Sequence, residues 1–275
     1  MTMDNKKRKI RLDELLLQQG SVESREKAQR LILAGDIKIE GISHVLKPSS
    51  RVDEDASIIL MRPPRFVGRG GEKLEKALTE FEIDPAGLIF LDIGASTGGF
   101  TDCLLQKGAR TVYALDVGYG LLHEKLRRDP RVVLLERMNA RYLIPEDIKE
   151  PIQGITVDVS FISLRLLFPV IANLLSENGI GIALIKPQFE AGKEKVGRGG
   201  IVKSPAIHAQ VLKEVLASAR DHQLSLRGLT FSPIQGGDGN IEFLAYWIKL
   251  PKFFDKSEFE DIINEVVNAA HGYFR

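Results

Sequence analysis

From Leu88 onward the chain repeats one device, a short apolar run followed by a helical segment or a long connection. The runs are LIFLDI, TVYALDV, RVVLLE, GITVDVS and GIGIALI, and each of the first four leads into such a connection. Apolar runs without polar alternation fit strands buried on both faces, and strands alternating with helices form βαβ units. The pattern predicts an α/β protein built on a doubly wound sheet. LSLRGLTF and IEFLAYWI are joined only by SPIQGGDGN, too short for a helical crossover, so the last strand must run antiparallel. Beyond Pro251, Phe259, Ile262, Ile263, Val266, Val267 and Ala270 recur at helical spacing, predicting a C-terminal amphipathic helix suited to cap the sheet or dock a partner.

The first sixty residues follow different rules. Leu12, Leu15 and Leu16 share an amphipathic turn, and Ser24 caps REKAQRLILA, whose helix stops at Gly35. DIKIEG, VLKPSSRV and SIILM then read as short strands separated by turn residues. This small α+β module ends in RPPRFVGRGG, where prolines and glycines favour an extended connection. The expected domains are residues 1–62, a linker at 63–70, and 71–275. With 275 residues, a net charge of +1 and one cysteine, the chain excludes a disulfide-stapled fold, and any affinity for a polyanion must come from local patches. Leu166–Leu175 is about half the ~20 residues of a membrane span, so no spanning segment is expected and cytosol is the default compartment.

In open α/β sheets ligands bind at the carboxyl edge of the strands. Asp92, Asp116, Asp158 and Lys186 end or closely follow successive runs, and Glu242 opens the antiparallel strand at the same edge. LDIGASTGGF departs from the dinucleotide pattern Gly-x-Gly-x-x-Gly; its Gly94, Ser96 and Gly98 form a different turn, and Asp92 suits a cationic ligand such as S-adenosylmethionine. Asp116 is then placed for ribose hydroxyls and Asn139 for an adenine edge, although a ligand-free strand–helix turn and an ordinary loop Asn fit the same residues. Cys103, beside Leu104 and Leu105, reads as a small core residue, and the five histidines show no ligand spacing, so no metal is expected. DVSF also lacks the Pro-Pro run of enzymes that methylate exocyclic base amines. Basic residues gather in three places. Lys6, Lys7, Arg8, Lys9 and Arg11 form an N-terminal arm, with Arg25, Lys27 and Arg30 on the capped helix behind it. Arg62, Arg65, Arg69, Lys73 and Lys76 crowd the linker, and Lys186, Lys193, Lys195, Arg198 and Lys203 crowd a Gly-rich loop. An RNA backbone fits such patches, as does a solvated helix face.

Longer blocks carry a resemblance. SREKAQRLILAGDIKIEG resembles the αL-type RNA-binding module of a ribosomal small-subunit protein. RGGEKLEKAL, LDIGASTGGFTDCLL, LDVGYG, RMNAR, DVSFISL, LIKPQFEAGKEKVGRGG and GNIEF resemble the TlyA, or hemolysin A-like, family of ribosomal RNA ribose methyltransferases. The resemblance covers essentially the whole chain. It implies a Rossmann-like class I methyltransferase sheet that uses S-adenosylmethionine to methylate a cytidine 2′-hydroxyl of rRNA in ribosomal subunits, in the cytoplasm; no obligate protein partner is legible in the sequence. It also implies a catalytic tetrad of Lys73, Asp158, Lys186 and Glu242, and a linker tetrapeptide, Arg65-Phe66-Val67-Gly68, that couples cofactor to RNA module; Phe66 stands where members often have tryptophan. A lysine base must be neutral, which burial and a neighbouring ammonium favour, so Lys73 beside Lys186 is a sensible pairing. Lys186 is the expected base or hydroxyl-orienting group, with Asp158 and Glu242 holding the lysines. Positioning without proton abstraction is the rival mechanism. The basic arm and C-terminal helix match the longer members, which act on both 16S and 23S rRNA. A catalytically silent RNA-binding protein and a membrane-active haemolysin are the competing functions; methyl transfer and liposome leakage separate them.

Overall fold

A computed structural model describes residues 8–22, 24–42, 46–61, 65–250 and 256–275, and the chain divides into two compact units, Met1–Gly68 and Arg69–Arg275. Lys6, Lys7, Arg62 and the linker prolines lie outside the described residues.

The first unit runs β1 (Lys9–Arg11), α1 (Leu12–Gln18), α2 (Arg25–Ala34), β2 (Ile37–Ile39), β3 (Arg51–Asp53) and β4 (Ile58–Leu60). Ser24 Oγ accepts from the Lys27 amide at 3.1 Å and Gly35 ends α2 at φ 81°, a left-handed turn that suits glycine. Leu12, Leu15, Leu16, Ala28, Ile32 and Val52 close a small core of their own. The basic arm needs correcting over its described part. Lys9–Arg11 is a strand, pairing antiparallel with β3 so that Ile10 faces Val52. Arg11 also has an internal task. Asp13 is fully buried, and a buried carboxylate must be paired. Arg11 donates to it at 2.9 and 2.8 Å, Arg25 at 3.1 Å and Gln29 at 3.2 Å. Those bonds, Arg11's first, hold Asp13 well below the usual carboxylate range against its desolvation. Arg11 and Arg25 thus each pair with the buried Asp13 while their side chains stay 35% and 46% exposed, so part of their charge is already neutralised within the module. Arg8, Lys9 and Arg30 remain exposed and Lys27 is half-buried.

The second unit opens with α3 (Gly70–Glu80). It continues through β5 (Ile89–Ile93), α4 (Gly99–Gln106), β6 (Thr111–Asp116), α5 (Glu124–Arg127), β7 (Val132–Glu136) and β8 (Ile152–Val157). Then come α6 (Phe168–Leu174), β9 (Leu175–Ile185), α7 (Pro187–Glu190), α8 (Pro205–Asp221), β10 (Leu224–Phe231), β11 (Phe243–Lys249) and α9 (Lys256–Tyr273). The sheet order is β10-β11-β9-β8-β5-β6-β7. Strands β5 to β9 pair in parallel, and β11 lies antiparallel between β9 and β10. The order reverses at β5, so a crevice opens where the ends of β5, β6 and β8 diverge. Cys103 is buried in α4, as its apolar neighbours imply. The C-terminal helix caps the sheet: Phe259, Ile263, Val266, Val267 and Ala270 are buried in the core that α8 and β10 share. Two of the scattered histidines meet there, His208 Nδ1 lying 2.9 Å from His271 Nε2 while His208 Nε2 lies 3.1 Å from the Val202 carbonyl.

Candidate active site

A cavity of about 380 Å³ occupies the crevice, lined among others by Gly94, Ser96, Asp116, Asn139, Asp158 and Phe161. Gly94 is there because a side chain will not fit: at φ 84°, a Cβ would stand 2.5 Å from the Asp158 carbonyl oxygen. The end of β5 therefore lies directly on the loop after β8. Asp116 organises the opposite rim, its two oxygens accepting from the Ser96 amide at 2.8 Å and the Gly118 amide at 2.7 Å. Asn139 lines the cavity while its side chain caps its own loop, accepting from the Arg141 amide at 3.1 Å.

Asp92, at the end of β5, and Gly98, in the glycine turn, do not line the cavity. Asp92 is fully buried beneath the cavity, accepting from Thr101 Oγ1 at 2.7 Å and Thr156 Oγ1 at 2.9 Å. Desolvation pushes it up to about 6, with the threonine bonds opposing and Asp158 adding a smaller upward push. It fastens α4 and β8 to β5 and has no face toward a ligand. Gly98 is absent from the lining too, and a Cβ there would meet Leu126 Cδ1 at 2.2 Å, so its role is packing under α5.

The predicted tetrad forms two ion pairs. Lys186 Nζ lies 2.7 Å from Asp158 Oδ1 and donates to Ser160 Oγ at 3.0 Å. Lys73 Nζ donates to Glu242 Oε2 at 2.5 Å, both residues being buried. The pairs are neighbours, because a Cβ on Gly70, one turn before Lys73, would come within 3.5 Å of Asp158 Oδ2. Each ammonium thus faces a carboxylate of its own, the holding arrangement expected of Asp158 and Glu242. Gly236 makes room for Glu242, since a Cβ would stand 2.5 Å from Glu242 Oε1.

Three residues passed over in the sequence complete the surroundings. Asn240, fully buried, accepts from the Val202 amide and donates to the Gly200 carbonyl, each at 2.9 Å, tying the Gly-rich loop to the β10–β11 turn. Phe161 sits at φ 65° with 91% of its surface exposed, its ring 5.0 Å from that of Phe189. Glu190 is buried, accepting from Ser163 Oγ at 2.6 Å and the Leu164 amide at 2.7 Å. All three fall inside blocks quoted above, but burial and a left-handed φ leave no periodic trace. Arg69, Lys193 and Arg198 are exposed on this unit and Lys195 is half-buried, while on the first unit Arg65 lies 5.4 Å from the centre of the Phe66 ring. Among the described residues no helix is long and apolar enough to cross a membrane.

A Rossmann-type sheet with one antiparallel strand, an acidic carboxyl edge and a glycine turn without the dinucleotide pattern define a methyltransferase class. The chain belongs to the FtsJ-like methyltransferase family, whose model matches residues 66–249, and an S4 domain matches residues 10–58. It is 51% identical over 241 residues to the "Putative rRNA methyltransferase YqxC" of Bacillus subtilis, covering 87% of this chain and 85% of that one. Identity is 41% over 244 residues to the 16S/23S rRNA (cytidine-2′-O)-methyltransferase TlyA of Mycobacterium tuberculosis, covering 88% and 90%. Among solved structures, "Putative hemolysin from Streptococcus thermophilus" superposes with a TM-score of 0.77 at 46% identity, covering 97% of each chain.

Proposed function

We propose that this protein transfers a methyl group from S-adenosylmethionine to the 2′-hydroxyl of a cytidine in ribosomal RNA, in both 16S and 23S species. The observation that carries the reading is the pair of buried or half-buried ion pairs, Lys73–Glu242 and Lys186–Asp158, the second of which puts its carboxylate on the wall of a cavity that suits the cofactor. That fit rests on the chain itself. Gly94 leaves a space a Cβ would fill, and Asp116 stands opposite for ribose hydroxyls, while Asn139 lines the same cavity. When bound, the cofactor supplies a methyl group already activated on a sulfonium.

What remains for the protein is to aim an oxygen and take up its proton. Lys186 uses two of its three N–H directions on Asp158 and Ser160, leaving the third to point a lone pair of the ribose hydroxyl. With Lys186 charged and holding no lone pair of its own, the hydroxyl proton would pass to the Asp158 carboxylate beside it. Lys73 and Glu242 hold the neighbouring wall. This arrangement favours orientation by a charged Lys186 over abstraction by a neutral one. Phe161 offers an exposed aromatic face on which a target base can stack. Arg8, Lys9 and Arg30 on the S4 domain, with Arg69, Lys193, Lys195 and Arg198 on the methyltransferase domain, supply phosphate contacts. Working on ribosomal subunits puts the protein in the cytoplasm, and the Arg65–Gly68 tetrapeptide couples its domains.

Radiolabelled methyl transfer to 30S and 50S particles from a strain lacking the modification, followed by primer extension, tests the reading. Ribose methylation at one cytidine in each rRNA is expected. Label on a base, or no transfer by protein that binds the cofactor, overturns it, and label in 23S rRNA alone removes the dual specificity.

A further inference from the structure

Lys186 and Glu190 are the first and last residues of one short segment, Lys186 capping α7 and Glu190 ending it. Both reach the same loop. Lys186 holds its beginning through Asp158 and Ser160, and Glu190 holds its far end through Ser163 Oγ and the Leu164 amide, with the Arg165 guanidinium 3.7 Å from Glu190 Oε2. Between the two tethers stands Phe161, in a backbone region that bulky residues avoid and with no burial of its own to keep it there. Phe189, the residue before Glu190, is the ring beside it.

We propose that Glu190 is a positioning residue, a buried carboxylate that fixes the Ser160–Leu164 loop and so presents Phe161 beside Lys186. This rests on the methyltransferase reading above and adds to it a residue that touches neither cofactor nor substrate. The chemistry calls for an anion. A carboxylate accepts from the serine hydroxyl and the backbone amide at once, whereas an amide of the same shape has one acceptor and would turn its NH2 toward a donor. Burial pushes Glu190 above its ordinary range, and the Ser163 and Leu164 bonds oppose that shift.

The test is a double-mutant cycle of Glu190→Gln with Phe161→Ala in the full chain, read by steady-state methyl transfer to rRNA, cofactor Kd, circular dichroism and amide exchange of residues 160–166. Glu190→Gln is expected to lower kcat/KM for rRNA at least tenfold, to leave cofactor Kd within threefold and to speed loop exchange at least tenfold. The double variant should fall within twofold of Phe161→Ala alone. Losses that multiply, or a Glu190→Gln protein with wild-type turnover, overturn the proposal. Should Glu190→Gln fail to fold, Ser163→Ala removes the other half of one bond and its cycle with Phe161→Ala is judged by the same rule. Loop exchange that quickens in a chain inactive on every rRNA sinks the function reading and keeps the tether; unchanged exchange with active wild type sinks the tether alone.

Discussion

The Lys73–Glu242 pair offers a direct separation of folding from catalysis. The two side chains are 9% and 3% exposed and 2.5 Å apart, so removing one charge strands the other in the core. Breaking a buried pair costs about 3–5 kcal/mol, while replacing both charges by neutral groups of similar volume is close to neutral. Glu242→Gln and Lys73→Met are each expected to cost about 3 kcal/mol, and the double variant about 1 kcal/mol. Trp247, the only tryptophan, is buried in β11, so its fluorescence reports unfolding of the methyltransferase unit. With a urea m-value of about 2 kcal/mol/M, each single variant should lower the midpoint by about 1.5 M and the double by about 0.5 M. Methyl transfer should be lost in all three, including the double variant that remains folded. Single costs that simply add in the double variant, to within about 0.5 kcal/mol, would show that the two charges are not coupled and refute the reasoning.

Other outcomes follow from the same geometry. Lys186→Ala should cut methyl transfer about 100-fold or more while calorimetry finds cofactor affinity unchanged; near-normal turnover would remove Lys186 from the mechanism. Asp116→Ala should weaken cofactor binding by about 1.5–3 kcal/mol, roughly 10- to 150-fold, whereas Asp92→Asn, beneath the cavity, should leave it near wild type; the reverse ranking would put the site elsewhere. Buried Asp92, raised to about 6, contributes stability that is present below about pH 4 and lost as pH rises through 6. Buried His208, lowered to about 4 by desolvation and then by His271, contributes stability present above about pH 6.5 and lost as pH falls through 4. The two slopes oppose each other between about pH 4 and 6. Asp92→Asn should therefore make stability climb with pH there, relative to wild type, by up to about 1.4 kcal/mol per pH unit, and His208→Gln should do the opposite. Urea midpoints across that window that keep the same pH slope in both variants would contradict the assignment.

The doubly wound sheet, its antiparallel strand and the capped helix at Ser24 were legible because each rests on periodicity, connection length or a cap, all local signals. The carboxyl-edge rule also brought Asp116, Asp158, Lys186 and Glu242 to one place, since strand ends follow from strands. It failed at Asp92, because the rule places a residue at an edge without saying whether its side chain points up into the crevice or down onto Thr101 and Thr156. Lys73 came from resemblance alone, as nothing in a helix's first turn reveals a partner that lies far along the chain. The basic arm misled for a related reason. A positive run looks the same whether its charges face solvent or, like Arg11, close over a buried aspartate.

The placement of β11 has a consequence in time. Asp158 and Lys186 follow adjacent strands, β8 and β9, and can meet once those pair. Lys73 and Glu242 are 169 positions apart, and Glu242 arrives only when β11 enters between β9 and β10. Contacts of such long sequence separation form late because the loop they close must first be ordered. The cavity walls on β5, β6 and β8 need no such wait. A refolding chain should recover cofactor binding before it recovers methyl transfer, and a nascent copy, still short of its last strands, should be unable to transfer a methyl group.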